Sequence, residues 1–232
     1  MSRLPQITVV LAMSADGKIA DDQRSPARFG SERDRLHLET RWAEADAVLI
    51  GAGTLRSYGT TLLVKQPHLL AQRQERGQPS QPVQIVCSVS GQLNPSDRFF
   101  SQPVRRWLLT SAPAADQWRD RPEFDHLLIA SPDPATPLDL QQAIALIRAQ
   151  GIQHLVVGGG GQLVSSLLAA DLVDDLWLTV CPLLLGGRCA PTPLDGSGYA
   201  QAIAPRLSLL SVEAIADEVF LHYQIKRALG QG

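Results

Sequence analysis

The chain has 232 residues, of which 44% are hydrophobic and 19% charged, and its formal net charge is −2. This composition is typical of a globular protein, and the weak negative charge argues against nucleic acid or an anionic membrane as the main partner. A phosphorylated small molecule is still allowed, because it needs only a local basic patch. No hydrophobic run approaches the ~18 residues of a membrane span and no export signal is recognisable, so we expect a cytoplasmic protein.

Short hydrophobic runs alternate with helical patterns along most of the chain. The runs are continuous rather than alternating, which is typical of central parallel strands covered on both faces. Ser31 with Asp34 forms a capping-box-like helix start, and a second helix begins at Asp139 and ends before Gly151. A third helix follows Gly161. The predicted strands are 7–13, 47–50, 83–86, 107–109, 126–130 and 154–157.

The C-terminal part of the chain has a different pattern. Residues 176–181 form one more strand, and 207–214 and 219–226 are close enough in sequence to form a hairpin with antiparallel alternation. The polar stretch 68–82, which contains two prolines, is predicted to be an exposed loop. The sequence therefore predicts an α/β fold with a mixed, mostly parallel sheet, helices on both faces and a C-terminal antiparallel hairpin.

Two glycine-rich turns follow predicted strands, one at Gly51-Ala52-Gly53-Thr54 and one at Gly158-Gly159-Gly160-Gly161. Glycine allows a ligand to approach the backbone, and N–H groups at a helix start bind phosphate. Neither turn completes the G-x-G-x-x-G fingerprint, because Arg56 and Leu163 stand where the third glycine should be. A plain tight turn is the alternative interpretation, and a dinucleotide shared between the two turns is the functional one.

A third polar turn, from Ser14 to Lys18, ends the first strand. Ser14, Asp16 and Lys18 bring together a hydroxyl, a carboxylate and an ammonium group, which can orient a polar heterocycle or move a proton. The alternative is a surface turn in which Asp16 caps its own backbone. The three cysteines form no C-x-x-C pair and the histidines have no ligand spacing, so we expect neither a disulfide nor a metal site.

The order of these motifs resembles that of one known family. S-x-D-G-K-I-A, A-D-A-V-L-I-G-A-G-T, the glycine cluster, L-V-D-D-L and P-L-L-L-G-G follow one another between about Ile7 and Lys226. The chain is similar to the pyrimidine reductase domain of riboflavin biosynthesis, a relative of dihydrofolate reductase. The resemblance implies a dihydrofolate-reductase-like fold, one reductase domain over residues 1–232 without the family's frequent deaminase domain, and a homodimer. The hydrophobic segment 176–185 is a candidate for the dimer contact, and burial in the core is the alternative.

The resemblance also implies a reaction and a set of site residues. NADPH would reduce the ribosyl group of 5-amino-6-(5-phosphoribosylamino)uracil, with hydride transferred to C1′ of the ribose. Asp16 and Lys18 would face this phosphorylated heterocyclic substrate as the catalytic residues, and Gly186 and Gly187 would close the pocket. The residues implied to bind the cofactor are Ser14 near the nicotinamide, Ser88 at the adenosine 2′-phosphate, and Gly51, Gly53, Thr54, Gly159, Gly160, Gln162 and Leu163 along its length.

Two positions depart from the family pattern on the substrate side. Tyr58 stands where the family has an aspartate, and Gly158 stands where it often has a glutamate. Together with Arg56 these residues are predicted to contact a substrate in a less acidic pocket, where Tyr58 can donate a hydrogen bond but is no base near neutral pH. A related NADPH reductase of a pterin-like heterocycle and a nucleotide-binding protein without turnover remain as alternatives.

Overall fold

The computed structural model describes residues 4–226, and these contain one nine-stranded sheet. The strands are β1 (Gln6–Ser14), β2 (Ala47–Gly51), β3 (Val83–Cys87), β4 (Arg106–Ser111), β5 (His126–Ser131), β6 (His154–Val157), β7 (Asp175–Cys181), β8 (Arg206–Ile215) and β9 (Glu218–Lys226). Their order in the sheet is β5-β4-β3-β2-β6-β1-β7-β9-β8. β1 to β7 run parallel, and β9 is antiparallel to both β7 and β8. The predicted mostly parallel sheet with a C-terminal hairpin is confirmed.

Helices cover both faces of the parallel part of the sheet. They are α1 (Glu32–Glu44), α2 (Ala52–Tyr58), α3 (Pro67–Glu75), α4 (Ala112–Trp118), α5 (Leu140–Ala149) and α6 (Gly161–Ala169), with a 3-10 turn at Arg98–Ser101. On one face, Ile144 of α5 and Leu167 of α6 are part of a buried cluster with the strands. On the other face, Trp42 of α1 and Leu69 of α3 belong to a second cluster. No helix within residues 4–226 is both long and hydrophobic enough to cross a bilayer.

The start of α1 differs from its prediction. Ser31 is the N-cap, and its hydroxyl accepts hydrogen bonds from the backbone N–H groups of Arg33 and Asp34. The return contact of a capping box comes from Glu218 of β9 instead of Asp34, since the Glu218 carboxylate accepts from both the backbone N–H and the hydroxyl of Ser31. The Asp34 carboxylate instead accepts a hydrogen bond from the Thr179 side chain on β7.

The predicted exposed loop at 68–82 is wrong over its first half, where the chain forms α3. Pro67 occupies the first turn of this helix, a position that proline favours, so it starts the helix and does not break it. Leu69 and Arg73 are buried with 2% and 1% exposure. The helix was not recognised because its buried face contains an arginine where a hydrophobic residue is expected.

Among the described residues, the edge strand β8 is uncovered on one face, whereas Leu176, Leu178 and Ile225 on the neighbouring strands pack partly against the first buried cluster. Leu207, Leu209 and Val212 of β8 are 39%, 53% and 59% exposed. Their cross-strand partners on β9 are Ile225, Tyr223 and Leu221, and the last two pair in turn with Leu176 and Leu178 of β7. Because partners in register share one face of a sheet, these residues form a continuous hydrophobic surface, which we call the β7–β9–β8 face.

Candidate cofactor and substrate cleft

The two glycine turns lie side by side, because β2 and β6 are neighbours in the sheet. The backbone N–H of Gly51 donates to the carbonyl oxygen of Gly159 at 3.3 Å, and the N–H of Gly158 donates to the carbonyl of Leu49 at 3.0 Å. Both turns stand at the carboxyl ends of their strands, which is where ligands bind in open α/β sheets.

The turn after β6 opens directly into α6. Gly160 is the N-cap of this helix, has φ +91° and supplies no side-chain cap. A Cβ at Gly160 would lie 3.6 Å from the Thr54 hydroxyl oxygen, so a side chain there would reduce the space between the two turns. Uncapped N–H groups at a helix start, in a space kept clear by glycine, fit a phosphate group and thus the pyrophosphate of a dinucleotide.

A cleft of about 560 Å³ runs along these turns. It is lined by nine residues that the sequence analysis placed in the site: Gly51, Gly53, Thr54, Arg56, Tyr58, Ser88, Gly160, Gln162 and Leu163. Gly161, which belongs to the second predicted glycine turn, also lines the cleft. The remaining part of the lining was missed, and it includes Ile19, Ala20, Pro134, Pro137, Pro191 and Asp195. Most of these lie in loops beyond the carboxyl ends of strands, and that position was the signal available in the sequence.

Ser14, Asp16 and Lys18 come together but do not line the cleft. Ser14 is fully buried, donates its hydroxyl to Asp16 at 2.6 Å and accepts from the backbone N–H of Lys18. Asp16 also accepts from the backbone N–H groups of Leu185 at 3.0 Å and Gly186 at 2.6 Å. The Ser14 hydroxyl and these two N–H groups lower the pKa of Asp16 to about 2. The group therefore ties segment 182–187 to the end of β1, while Lys18 Nζ donates to the Ala190 carbonyl at 3.4 Å.

Gly158 lies behind the cleft, against the indole of Trp42. A Cβ at Gly158 would meet Trp42 Cη2 at 2.4 Å and Trp42 Cζ2 at 2.8 Å. Trp42 is 3% exposed, so the ring cannot move aside freely. The space that a glutamate side chain would need at position 158 is filled by tryptophan, which gives a physical reason for this departure from the family pattern.

The titratable groups in the cleft are mostly cationic or neutral. Arg24 and Arg56 line it together with one carboxylate, Asp195. Tyr58 donates its hydroxyl to the Ala27 carbonyl at 2.8 Å, and burial raises its pKa. Burial raises the pKa of the Cys87 thiol to about 12, so it remains protonated at neutral pH. Within residues 4–226, no three His, Cys, Asp or Glu side chains are placed to hold a metal ion.

A second cleft of about 500 Å³ lies between the first turn of α1 and the turn joining β8 to β9. Ser31 and Glu218 line it, and they bond to each other. None of the residues predicted for the site lines this cleft, so the glycine turns remain the better candidate for a cofactor site.

Residues 5–221 match the RibD C-terminal domain family. This chain belongs to that family. Over 84% of its length it is 29% identical to the 2,5-diamino-6-ribosylamino-4(3H)-pyrimidinone 5′-phosphate reductase of Archaeoglobus fulgidus, covering 88% of that protein. It is 26% identical to the riboflavin biosynthesis protein RibD of Actinobacillus pleuropneumoniae, of which it covers 58%. The predicted membership of the riboflavin-biosynthesis reductases is confirmed.

Solved structures agree with this assignment at the level of the fold. A pyrimidine reductase-like protein from Corynebacterium diphtheriae superposes with a TM-score of 0.78 at 21% identity, with 97% of this chain and 93% of that chain covered. The riboflavin biosynthesis reductase Rib7 of Saccharomyces cerevisiae gives a TM-score of 0.67 at 15% identity, with 97% and 92% covered. The RibD C-terminal fold is thus the fold of this chain.

Proposed function

We propose that this protein is an NADPH-dependent reductase that converts the ribosyl group of a 5-amino-6-ribosylaminopyrimidine 5′-phosphate into a ribityl group. The observation that carries the proposal is the contact between the two glycine turns, which builds one phosphate cradle at an uncapped helix start. Relatives named as pyrimidinone 5′-phosphate reductases support the choice of substrate class.

The bound cofactor would supply a hydride for C1′ of the open-chain form of the sugar. Gly160, Gly161 and Gln162 would hold the pyrophosphate through backbone N–H groups at the start of α6. Ile19 and Ala20 follow the Ser14–Lys18 turn into the cleft and would form its wall at the nicotinamide end. Catalysis in this arrangement depends mainly on positioning.

Asp16 is better suited to positioning than to proton donation. With a pKa of about 2 its carboxylate is ionised at neutral pH, and its oxygens are already engaged by Ser14, Leu185 and Gly186. We therefore assign Asp16 to holding segment 182–187. Lys18 lies outside the cleft lining and donates to the Ala190 carbonyl, so its contact with the substrate stays a prediction of the sequence.

A related reductase with another heterocyclic substrate is the second candidate. It is favoured by one observation, the Trp42 indole in the space where the family often has a glutamate side chain. A pocket without that carboxylate offers less recognition to a polar sugar, and more to a flat ring such as a dihydropterin.

Turnover assays separate these functions. Three parallel reactions contain the purified protein, NADPH and one candidate substrate each. The substrates are 2,5-diamino-6-ribosylamino-4(3H)-pyrimidinone 5′-phosphate, 5-amino-6-(5-phosphoribosylamino)uracil and a dihydropterin. Oxidation of NADPH is followed by the loss of its absorbance. We expect oxidation with a ribosylaminopyrimidine phosphate and a ribityl product by mass spectrometry. Turnover with the dihydropterin alone would support the second candidate, and NADPH binding without any turnover would support a nucleotide-binding protein.

The cradle has its own test in Gly160→Val. We expect the NADPH dissociation constant to rise at least tenfold, because the new side chain enters the space between Gly160 and Thr54. Gly151→Val is the matched control, since Gly151 has the same φ of +91° and an open surrounding away from the cleft. Equal dissociation constants for the two variants by titration calorimetry would remove the cradle from the proposal.

We further propose that two copies of the chain associate through the β7–β9–β8 face. This face includes Leu176 and Leu178, within the 176–185 segment predicted to form the contact, and extends it onto β8 and β9. Its exposed part is Leu207, Leu209 and Val212, and neighbouring exposed hydrophobic side chains on a folded protein are candidates for an association site.

A further inference from the structure

Segment 191–195 packs against the first residue of α6 and brings a carboxylate to the cleft. The backbone N–H of Asp195 donates to the Gly161 carbonyl at 3.2 Å. A Cβ at Gly161 would lie 3.0 Å from Asp195 Oδ2 and would collide with the Thr192 carbonyl oxygen, so glycine at this position permits the approach. Asp195 and Gly161 both line the cleft. The Asp195 carboxylate therefore stands beside the helix start to which the pyrophosphate is assigned.

Only one oxygen of this carboxylate is engaged by the protein. Oδ1 accepts from the backbone N–H and from the hydroxyl of Thr192, both at 3.0 Å. Within residues 4–226, Oδ2 accepts no hydrogen bond and joins no ion pair. A carboxylate whose orientation is fixed through one oxygen, with the other oxygen unoccupied in a ligand cleft, is suited to accept hydrogen bonds from a bound molecule.

The charge of Asp195 restricts which part of a dinucleotide can be its partner. A phosphate oxygen near Oδ2 would be repelled, because both groups are anionic. The hydrogen-bond donors that flank a pyrophosphate are the hydroxyl groups of the two riboses, and carboxylates are established acceptors for ribose hydroxyls. The adjacent 2′- and 3′-hydroxyls of one ribose can both donate to a single carboxylate.

The strand order determines which ribose lies next to Asp195. The backbone N–H of Ile19, which follows β1, donates to the Pro191 carbonyl at 2.9 Å, so segment 191–195 joins the end of β1 to the start of α6. β6, which leads into α6, is the direct neighbour of β1. The opposite end of the cleft is formed by Ser88 and Pro134, in the loops after β3 and β5. Asp195 is therefore on the side of the pyrophosphate that faces the proposed nicotinamide end.

We infer that Asp195 accepts hydrogen bonds from the 2′- and 3′-hydroxyl groups of the cofactor's nicotinamide ribose, and that this contact orients the nicotinamide ring for hydride transfer. The inference rests on the proposed use of a dinucleotide in this cleft. It adds a cofactor-binding residue that the glycine motifs do not contain, because Asp195 reaches the start of α6 from a distant part of the sequence.

The substitution Asp195→Asn isolates the free oxygen. Asparagine retains an oxygen that can accept from Thr192, and it places an amide group, which donates, where the carboxylate has Oδ2. Asp139→Asn is the matched control. It removes the same charge between Leu138 and Leu140, which line the cleft, at the N-cap of α5, where asparagine is as favourable as aspartate.

Direct binding tests the contact without turnover. Titration calorimetry with the wild type and both variants gives dissociation constants for three ligands. They are NADP⁺, 2′,5′-ADP, which lacks the nicotinamide half, and an NADP⁺ analogue whose nicotinamide ribose lacks its 2′- and 3′-hydroxyl groups.

For Asp195→Asn we expect roughly ten- to hundredfold weaker binding of NADP⁺, with 2′,5′-ADP and the analogue changed less than about twofold. The wild type should bind the analogue more weakly than NADP⁺ by a similar factor, and Asp139→Asn should leave all three constants unchanged. An equal loss for NADP⁺ and the analogue would reduce Asp195 to a structural role, and tighter binding of NADP⁺ would show that it only repels phosphate. Either result would overturn the inference and leave a reductase. A wild type that binds none of the three ligands would overturn the proposed function as well.

Discussion

At the residue scale, the Asp16 carboxylate controls a local segment through three hydrogen bonds. Asp16→Asn removes the negative charge and should weaken the contacts to Leu185 and Gly186. We expect faster amide hydrogen exchange at these two residues while exchange in the core strands stays unchanged. Ala15→Ser, an exposed neighbouring change, is the control, and equal protection of Leu185 and Gly186 in both variants would contradict the tether.

The pH dependence of this tether follows from the lowered pKa. The native pKa of Asp16 is about 2 and the ordinary value is 3.8, so the contribution is complete above about pH 4 and is lost as the pH falls towards 2. After division by the intrinsic, hydroxide-catalysed exchange rate, the protection factors of Leu185 and Gly186 should therefore stay constant between about pH 5 and 9. A transition near neutral pH in the wild type that Asp16→Asn abolishes would contradict this assignment.

Gly158 and Trp42 form a matched pair in which one residue leaves room for the other. In Gly158→Ala the new methyl group would meet the Trp42 ring at 2.4 Å, and we expect a loss of ~1–3 kcal/mol in the free energy of unfolding by denaturant titration. Gly53→Ala is the control, because a Cβ there has no atom within 4 Å and lies within α2. The loss should shrink when Trp42→Leu is combined with Gly158→Ala, since contacting residues are not additive.

The residue scale also shows where sequence reasoning reaches its limit. Gly51, Gly53 and Gly160 could be predicted as cleft residues because backbone approach at a strand end is a local property. The Trp42–Gly158 contact and the Ser14–Asp16–Gly186 network could not, since each joins segments that are distant in sequence. Arg56 was recognised as a site residue, but its contact with the Gln92 carbonyl could not be predicted, because the two residues are far apart in sequence.

At the element scale, α3 supplies a cap for the end of α1. Arg73 of α3 is 1% exposed and donates to the carbonyl oxygens of Ala43, Ala45 and Pro79 at 2.9, 2.7 and 2.7 Å. Ala43 lies in the last turn of α1 and Ala45 is its C-cap, so these carbonyls lack helical partners. Burial lowers the pKa of Arg73 to about 10, yet the side chain stays charged at neutral pH.

We expect Arg73→Met to cost ~2–4 kcal/mol of unfolding free energy, because it removes the side-chain donor of the Ala45 and Pro79 carbonyls, whereas the Ala43 carbonyl still accepts from Arg76. Arg33→Met on the exposed first turn of α1 is the control and should change stability by less than about 0.5 kcal/mol. Urea titration followed by circular dichroism measures both. A similar small change in the two variants would show that Arg73 is not a cap.

This contact also explains why the element at 67–75 was missed. Helix prediction relies on a hydrophobic stripe, whereas α3 buries a cation that is satisfied by carbonyls of another helix. The central strands were predictable because their continuous hydrophobic runs arise from burial on both faces, a property that each run carries by itself.

At the scale of the whole molecule, the proposed association through the β7–β9–β8 face can be tested by substitution. Replacing Leu209 and Val212 together by aspartate should convert a dimer into a monomer in sedimentation velocity at micromolar concentration, because charges would be buried in the contact. The control is the double variant Ser208→Asp, Glu213→Gln, which changes polar residues of the same strand and tests for general effects on β8. A monomeric wild-type protein, or a dimer that survives the double substitution, would exclude this face.

β1 is an interior strand of the sheet, and this position affects when the chain can fold during synthesis. Gln6 pairs with His154 on one side and Thr8 pairs with Asp175 on the other, so both edges of this early strand await residues from the last third of the protein. The N-cap contact between Ser31 and Glu218 closes later still. The hydrophobic strand β1 therefore cannot pair until residues 154–181 have been synthesised, and until then both of its edges are open to non-native strand pairing.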